Sequence, residues 1–231
     1  MSTAEARTPP AQRRVQLDGL RAVAVGLVLV HHFGGPASGF VDLGSIGVHL
    51  FFVISGFLIT GKLLAGRDAV AAGRTTRAGV LRDYYWRRAL RILPIYLLVI
   101  AVGAAVGMPN VRADWPWLLT FTGNLRTAQT GHFLGFLAPT WTLNIEEQYY
   151  LVWPWIVLGA AAARLPRIVL ATVALGPLWR AGATLAGVPA KSVAVFTLSA
   201  FDGLGLGALL ALRWHDGGGE GARPLPAAAA W

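Results

Sequence analysis

The stretch Leu17–Phe33, LDGLRAVAVGLVLVHHF, decides how the fold is read. An apolar run from Ala22 to Val30 is closed by Arg21 at one end and by His31 and His32 at the other. Arg21 and His32 are eleven positions apart. On a helix turning ~100° per residue they fall within roughly 20° of one another, and they stand roughly 16 Å apart along the axis. His31 points about a fifth of a turn or more away from that face. If one face of this helix lines a site, Arg21 and His32 line it together. The plainer alternative makes Arg21 an interfacial anchor and the histidine pair the end of a hydrophobic span.

Composition points to a bilayer. The chain has 231 residues, of which 55% are hydrophobic and 13% charged, with a mean hydropathy of +0.55. Soluble domains carry about a quarter charged residues, and this much apolar surface exceeds what one soluble core hides. The formal net charge is +9. Nucleic-acid binding is a poor account of it. Lys62 and Lys191 are the only lysines, and the arginines sit between apolar runs, as in membrane proteins with basic cytoplasmic loops. There is no Cys, which excludes disulfides, cysteine metal sites and a cysteine nucleophile. The basic leader and Pro36-Ala37-Ser38 have features of a cleaved signal peptide. Further apolar spans follow, so a retained first helix is the better reading.

The expected class is all-α, a polytopic transmembrane helical bundle. Residues 1–16 read as a disordered cytoplasmic tail, 17–213 as the membrane domain and 214–231 as an unstructured Gly/Ala/Pro-rich tail. Spans are expected at about 18–34, 44–65, 92–108, 140–163, 167–187 and 193–212, with Trp115–Asn124 as a shorter span or a re-entrant piece. That makes about seven. Gly34–Gly39 reads as a turn, Leu125–Ala138 as a loop, and Gly176-Pro177 as an interruption of the sixth span. Lys62–Arg91 is expected to be a loop holding Arg67, Arg74, Arg77, Arg82, Arg87 and Arg88 against only Asp68 and Asp83, which places it in the cytoplasm.

Four blocks, in order, resemble the membrane acyltransferase family 3. They are LDGLR followed by ten residues and a histidine, GVHLFFVISGFLIT (Gly47–Thr60), RRALRILP (Arg87–Pro94) and WTLNIEEQYYLVWP (Trp141–Pro154). FDGLGLGALLA (Phe201–Ala211) is a weaker fifth. The resemblance implies an O-acyltransferase that moves an acyl group, expected to be acetyl, from cytoplasmic acyl-CoA to a hydroxyl of a sugar, surface glycan or glycosylated metabolite. It also implies a multi-pass protein of the inner (plasma) membrane. Acyl-CoA is a co-substrate here, and no bound cofactor or metal is expected. The chain departs from the pattern twice. His49 stands where the family usually has Asp. About seven spans are read where the family implies about ten, so the chain reads as C-terminally truncated. A transporter with charges along its pathway and an inactive remnant of the family are the alternatives.

Ionisable groups inside apolar spans are costly and functional by default. His32, His49, Glu146, Glu147, Arg180 and Asp202 qualify. The competing reading for each is a structural ion pair. His32 suits a general base, since a histidine titrates near ~6.5 and alcohol attack on a thioester releases a proton. The resemblance also implicates His32, with Arg21 on its face. Glu146 or Glu147 is a candidate to orient an imidazole or hold an acceptor hydroxyl, and neighbours ~100° apart suggest that one of them faces the site. Arg87, Arg88 and Arg91 fit recognition of coenzyme A phosphates, or simple anchoring at a membrane boundary. His49 and Ser55 are assigned to acceptor binding. There is no Gly-x-Ser-x-Gly elbow. The glycines of Phe201–Ala211 follow no strand, so Gly203 and Gly207 read as a helix-packing pair. The five histidines show no zinc spacing.

Overall fold

The structure is a computed structural model that describes residues 15–33 and 42–217. The expected N-terminal tail up to residue 14, the Gly34–Gly39 turn and the tail from residue 218 lie outside the described residues. In chain order the helices are α1 (Val15–Phe33), α2 (Leu43–Ala71), α3 (Arg77–Ala105), α4 (Pro109–Ala113), α5 (Trp115–Leu119), α6 (Gly123–Thr130), α7 (Thr140–Gly159), α8 (Leu165–Leu185), α9 (Ala190–Val195) and α10 (Phe201–Asp216). No strand occurs among the described residues.

Three segments are long and apolar enough to cross a membrane: Leu43–Ala71, Arg77–Ala105 and Ala162–Leu185. Their outward side chains, such as Ile95, Leu98 and Val102 on α3 and Leu170 and Leu178 on α8, are apolar and exposed, as a lipid surround requires.

The expected loop at Lys62–Arg91 is not a loop. It is the last part of α2, a tight turn at 72–76 and the first part of α3. Arginine is a good helix former and keeps its charge outside while its stem covers apolar surface. The turn is punctuated by Gly73 at φ +69° and by Thr76, whose hydroxyl accepts from Gly79 N at 3.1 Å as an N-cap. Asp42 starts α2 in the same way, accepting from Ser45 N at 3.0 Å. Gly176-Pro177 does not interrupt α8. The missing proline N–H is tolerated in an apolar helix whose neighbours hold it in place. Trp214–Asp216, expected in the tail, completes α10.

α2 is the axis of the bundle. α1 lies antiparallel to it: a Cβ on Gly47 would stand 2.6 Å from the Ala24 carbonyl oxygen, and one on Gly44 would stand 2.7 Å from the His31 ring. α10 lies parallel to it and closer still. A Cβ on Gly56 would stand 2.0 Å from the Leu204 carbonyl oxygen, and one on Gly207 would stand 2.0 Å from that of Val53. Gly203 and Gly207 are thus the packing pair expected. Gly205 faces the other way, where a Cβ would meet Val173 of α8 at 2.9 Å. α7 runs parallel to α2 on another side, joined by the buried bond from Trp153 Nε1 to Thr60 Oγ1, 2.9 Å. Phe52, Leu63, Ile145, Trp153, Val157, Val169 and Leu204 fill the core between them.

These contacts define two ends. At the upper end α1 finishes and α2, α7 and α10 begin. At the lower end α2 meets α3, Arg67 donates to the Val157 carbonyl at 3.0 Å, and His215 of α10 stands 2.8 Å from Asp68. The segment α4–α6 is re-entrant. It descends from the upper end along α3, with Val111 packed on Gly103 and the Leu118 carbonyl accepting from Tyr96 Oη at 2.9 Å. It turns at Phe121 (φ 53°) and climbs back to Gly131, whose carbonyl accepts from Lys191 at 3.0 Å. Asp114 and Arg126, 2.9 Å apart, close its two arms. Pro109, Pro116 and Gly123 break what would otherwise be a crossing helix. Six helices of 16 residues or more occur among the described residues, and three segments are long and apolar enough to cross a membrane, where about seven spans were expected.

The α2–α10 contact yields a test. Gly56→Ala and Gly207→Ala should each destabilise the detergent-purified protein by about 1–3 kcal/mol or more, because backbone has to move. Gly26→Ala, where a Cβ meets nothing within 4 Å, should hold or raise the thermal midpoint through helix propensity.

Candidate active site

Three helices converge on one charged cluster. From α3, Arg88 donates two parallel bonds to Glu147 of α7: Nε to Oε2 at 2.9 Å and Nη2 to Oε1 at 2.5 Å. Both side chains are mostly buried, 15% and 16% exposed. The guanidinium also lies over the Tyr150 ring, 3.7 Å from its centroid. Glu146, fully inside, accepts from Tyr150 Oη at 3.4 Å and from Ser55 of α2. The Tyr84 hydroxyl reaches the Tyr150 carbonyl at 3.5 Å, and that of Tyr85 reaches the Leu151 carbonyl at 2.6 Å, locking α3 to α7. Every charge here has a partner, as burial demands.

Both glutamates therefore turn into the same cluster, where one was expected to. Glu147 uses the α3 side of α7 and Glu146 the α2 side, and the ~100° between them suits a wedge between two neighbours. Arg88 is committed to Glu147 rather than standing open to a ligand. Arg87 and Arg91 are exposed. They bear with Arg88 and Arg21 on Lys62 of α2 as like charges, so a basic rim from α1, α2 and α3 borders the cluster.

The upper end holds the histidines. The ring of His31 packs over Gly44, with Nδ1 3.7 Å from Asp42 Oδ1. His32 sits in the last turn of α1; its side chain lies outside the described residues. From the Ala24–Gly47 and His31–Gly44 pairings, the His32 end of α1 is level with the start of α2, and Arg21 is level with residues 50–54 of α2. The His32 end and the Glu146 cluster are therefore roughly 18 Å apart along α2. The glutamates accompany Arg21, not His32, and orienting that imidazole is not a role this spacing allows them. His49 is exposed, with Nδ1 donating to the Ser45 carbonyl at 2.8 Å, and it lies towards Asp202 rather than Ser55. The two assigned acceptor residues thus occupy different faces of α2. Arg180 and Asp202 form the structural pair that competed with a functional role: Nη2 to Oδ2 is 2.5 Å, and Arg180 Nη1 donates to the Ser199 carbonyl at 2.6 Å. No group of residues suited to a metal occurs among those described.

The sequence reading passed over a second polar group on α7. Gln148 donates to the Phe121 carbonyl (2.7 Å) and to Asn124 Oδ1 (2.8 Å) at the re-entrant turn, and accepts from Thr197 at 2.5 Å. Asn124 and Asn144 are fully buried there. The sequence carries a signal for it: Asn144, Gln148 and Asn124 are uncharged amides inside apolar segments.

A family model described as an acyltransferase domain matches residues 14–228. The chain belongs to acyltransferase family 3. It is 34% identical over 172 residues to a putative peptidoglycan O-acetyltransferase of Bacillus subtilis, covering 66% of this chain and 26% of that protein. It is 30% identical over 191 residues to a peptidoglycan O-acetyltransferase of Listeria monocytogenes, covering 75% of this chain and 29% of that one. A putative O-acetyltransferase of Staphylococcus aureus is 32% identical over 155 residues, 62% and 24% of the two chains. The chain thus spans between 24% and 29% of the length of these relatives. No solved structure matches it.

The buried pair is testable by a double-mutant cycle. Arg88→Met alone should cost about 3 kcal/mol of unfolding free energy by stranding Glu147, and Arg88→Met with Glu147→Leu should recover most of it. Equal losses in the single and double variants would show that the pair is not coupled.

Proposed function

We propose that this chain is the membrane O-acyltransferase unit of a multi-pass protein of the plasma membrane, moving an acetyl group from acetyl-CoA to a hydroxyl of a cell-wall or other surface saccharide. The match to the acyltransferase family over residues 14–228 carries the reading. The names of the relatives supply the acceptor class.

The lower end faces the cytoplasm in this reading. Arg67, Arg74, Arg77 and Arg82 gather there, and Arg164, Arg167 and Arg213 join them from α8 and α10, which agrees with the positive-inside rule. The donor enters on that side. Arg87 and Arg91 hold its phosphates, since planar guanidinium groups match phosphate oxygens. Arg88 cannot serve in the same way without giving up Glu147, so its task is to join α3 to α7 beneath the path. The extended pantetheine arm runs from the level of Arg21 towards His32, a distance of roughly 16 Å.

Chemistry then takes place near the upper end. The imidazole of His32 takes the proton of the acceptor hydroxyl as its oxygen attacks the thioester carbon. The carbon–sulfur bond breaks, an ester forms, and the proton passes from His32 to the departing thiolate. His31 is packed on α2 and plays no part in this.

Two measurements test this. His32→Ala should lose about 10²–10⁴-fold in acetyl transfer from labelled acetyl-CoA in membranes, whereas His31→Ala should retain most activity. Equal loss from both would return the pair to a structural role. A single Cys introduced at Arg74 should react with an impermeant maleimide only after the membrane is opened, and labelling in intact cells would reverse the orientation.

A further inference from the structure

We infer that the turn of the re-entrant hairpin, Thr120–Asn124, is the acceptor-binding element and takes a saccharide ring that carries free hydroxyls. The inference rests on the acyl-transfer reading above for its substrate class and on separate observations for its place.

The first observation is depth. Tyr96, which holds the hairpin, lies nine residues before the end of α3 at Ala105, about 14 Å inside the bundle. Its side chain leans further towards the helix N-terminus. Irregular backbone at such depth is not tolerated against lipid. It occurs where protein buries it or where it lines a polar cavity. Phe121 and Thr122 are half-buried, and Thr120 is exposed. The turn therefore opens onto a polar route rather than onto hydrocarbon.

The second observation is chemistry. Thr120 Oγ1 donates to the Pro116 carbonyl at 2.7 Å and stands 2.7 Å from Thr122 Oγ1, which is also 3.4 Å from the Trp117 carbonyl. The Thr120 oxygen keeps an acceptor site towards the opening. Beside it, Phe121 and Tyr96 form a stacked aromatic pair, centroids 4.5 Å apart. Hydroxyl oxygens beside an aromatic face are what a sugar needs: polar groups for its hydroxyls and a ring for its C–H face.

The third observation is strain held by design. Phe121 has φ 53°, a region that bulky side chains avoid. It is kept there by the Tyr96 stack on one side and by Gln148 on the other. Gln148 immediately follows Glu147, and Glu147 also acts on Tyr96 through its charge. The turn is thereby indexed to the Arg88–Glu147 cluster from both α3 and α7. Gln148 is a positioning residue: it touches the turn and acts on the acceptor through it.

The hairpin enters from the upper end, opposite the arginine-rich lower end at which the donor enters in the reading above. Donor and acceptor would thus approach from opposite ends, and the turn lies between the His32 end and Glu147.

The chain has no Cys, so Thr120→Cys gives a single probe. In sealed membranes a small impermeant methanethiosulfonate should label it from the upper face. The peptidoglycan disaccharide N-acetylglucosaminyl-N-acetylmuramic acid should slow labelling at least about fivefold, and acetyl-CoA should not, because only a ligand seated on the turn shields it. In parallel, Gln148→Met should raise the apparent KM for the disaccharide about tenfold, the effect of two modest hydrogen bonds, with the acetyl-CoA KM unchanged. A position 120 that resists labelling in membranes and in detergent, labelling that the disaccharide leaves unchanged, or donor and acceptor KM rising together would each overturn the assignment. Disaccharide protection in a protein that transfers no acetyl group would keep the site and remove the acyl-transfer reading.

Discussion

An apolar surround leaves no polar group the option of water, and this constraint accounts for most of the molecule. Arg88 spends its fork on Glu147, Arg180 spends its own on Asp202 and the Ser199 carbonyl, and Trp153 finds Thr60 across the core. The Arg88–Glu147, Arg180–Asp202 and Trp153–Thr60 bonds each join two different helices, 59, 22 and 93 positions apart in the chain. In water such pairs contribute little. Inside a bundle of this kind they set which helix faces which, because any other arrangement strands a charge or an N–H in a medium that cannot solvate it.

The same apolar surround removes the hydrophobic force between helices, so close contact has to come from shape. Glycine supplies it. Gly203 and Gly207 open one side of α10 to α2 and Gly205 opens the other side to α8, so the single stretch from Gly203 to Gly207 sets two interfaces. α2 answers with Gly56 towards α10 and with Gly44 and Gly47 towards α1. Ser55 beside Gly56 is thereby fixed in rotation and points to Glu146. The packing of three helices and the aim of one hydroxyl follow from the same local sequence.

How much of this was legible beforehand depended on the kind of signal. The all-α class, the order of the long helices and the Gly203–Gly207 contact could be read from apolar runs and spacing. The Lys62–Arg91 segment could not, because charge density marks a membrane boundary without distinguishing a loop from helix ends that project beyond it. The charged cluster was legible in its membership but not in its wiring. Glu146, Glu147 and Arg88 stood out as charges in apolar surroundings, yet only the folded chain shows that Arg88 and Glu147, 59 positions apart, satisfy each other. Gln148 and Asn124 escaped notice because an amide costs less to bury than a charge and so raises a weaker alarm.

Charge and neutral polarity are divided between two neighbouring surfaces. Around the Arg88–Glu147 pair the walls carry fixed positive charge: Lys62, Arg87, Arg91 and Arg21. At the re-entrant turn they carry neutral hydrogen-bonding groups, the amides of Asn124, Asn144 and Gln148 and the hydroxyls of Thr120, Thr122 and Tyr96. On the proposed acyl-transfer reading, a polyanionic donor suits the first surface and an acceptor that offers hydroxyls suits the second. The Arg88–Glu147 pair is a neutral unit, so it adds no net charge to either surface. Had Arg88 been left open, its charge would have joined the basic set and an anion could have settled at mid-depth; pairing it with Glu147 leaves any attraction for anions to Lys62, Arg87, Arg91 and Arg21.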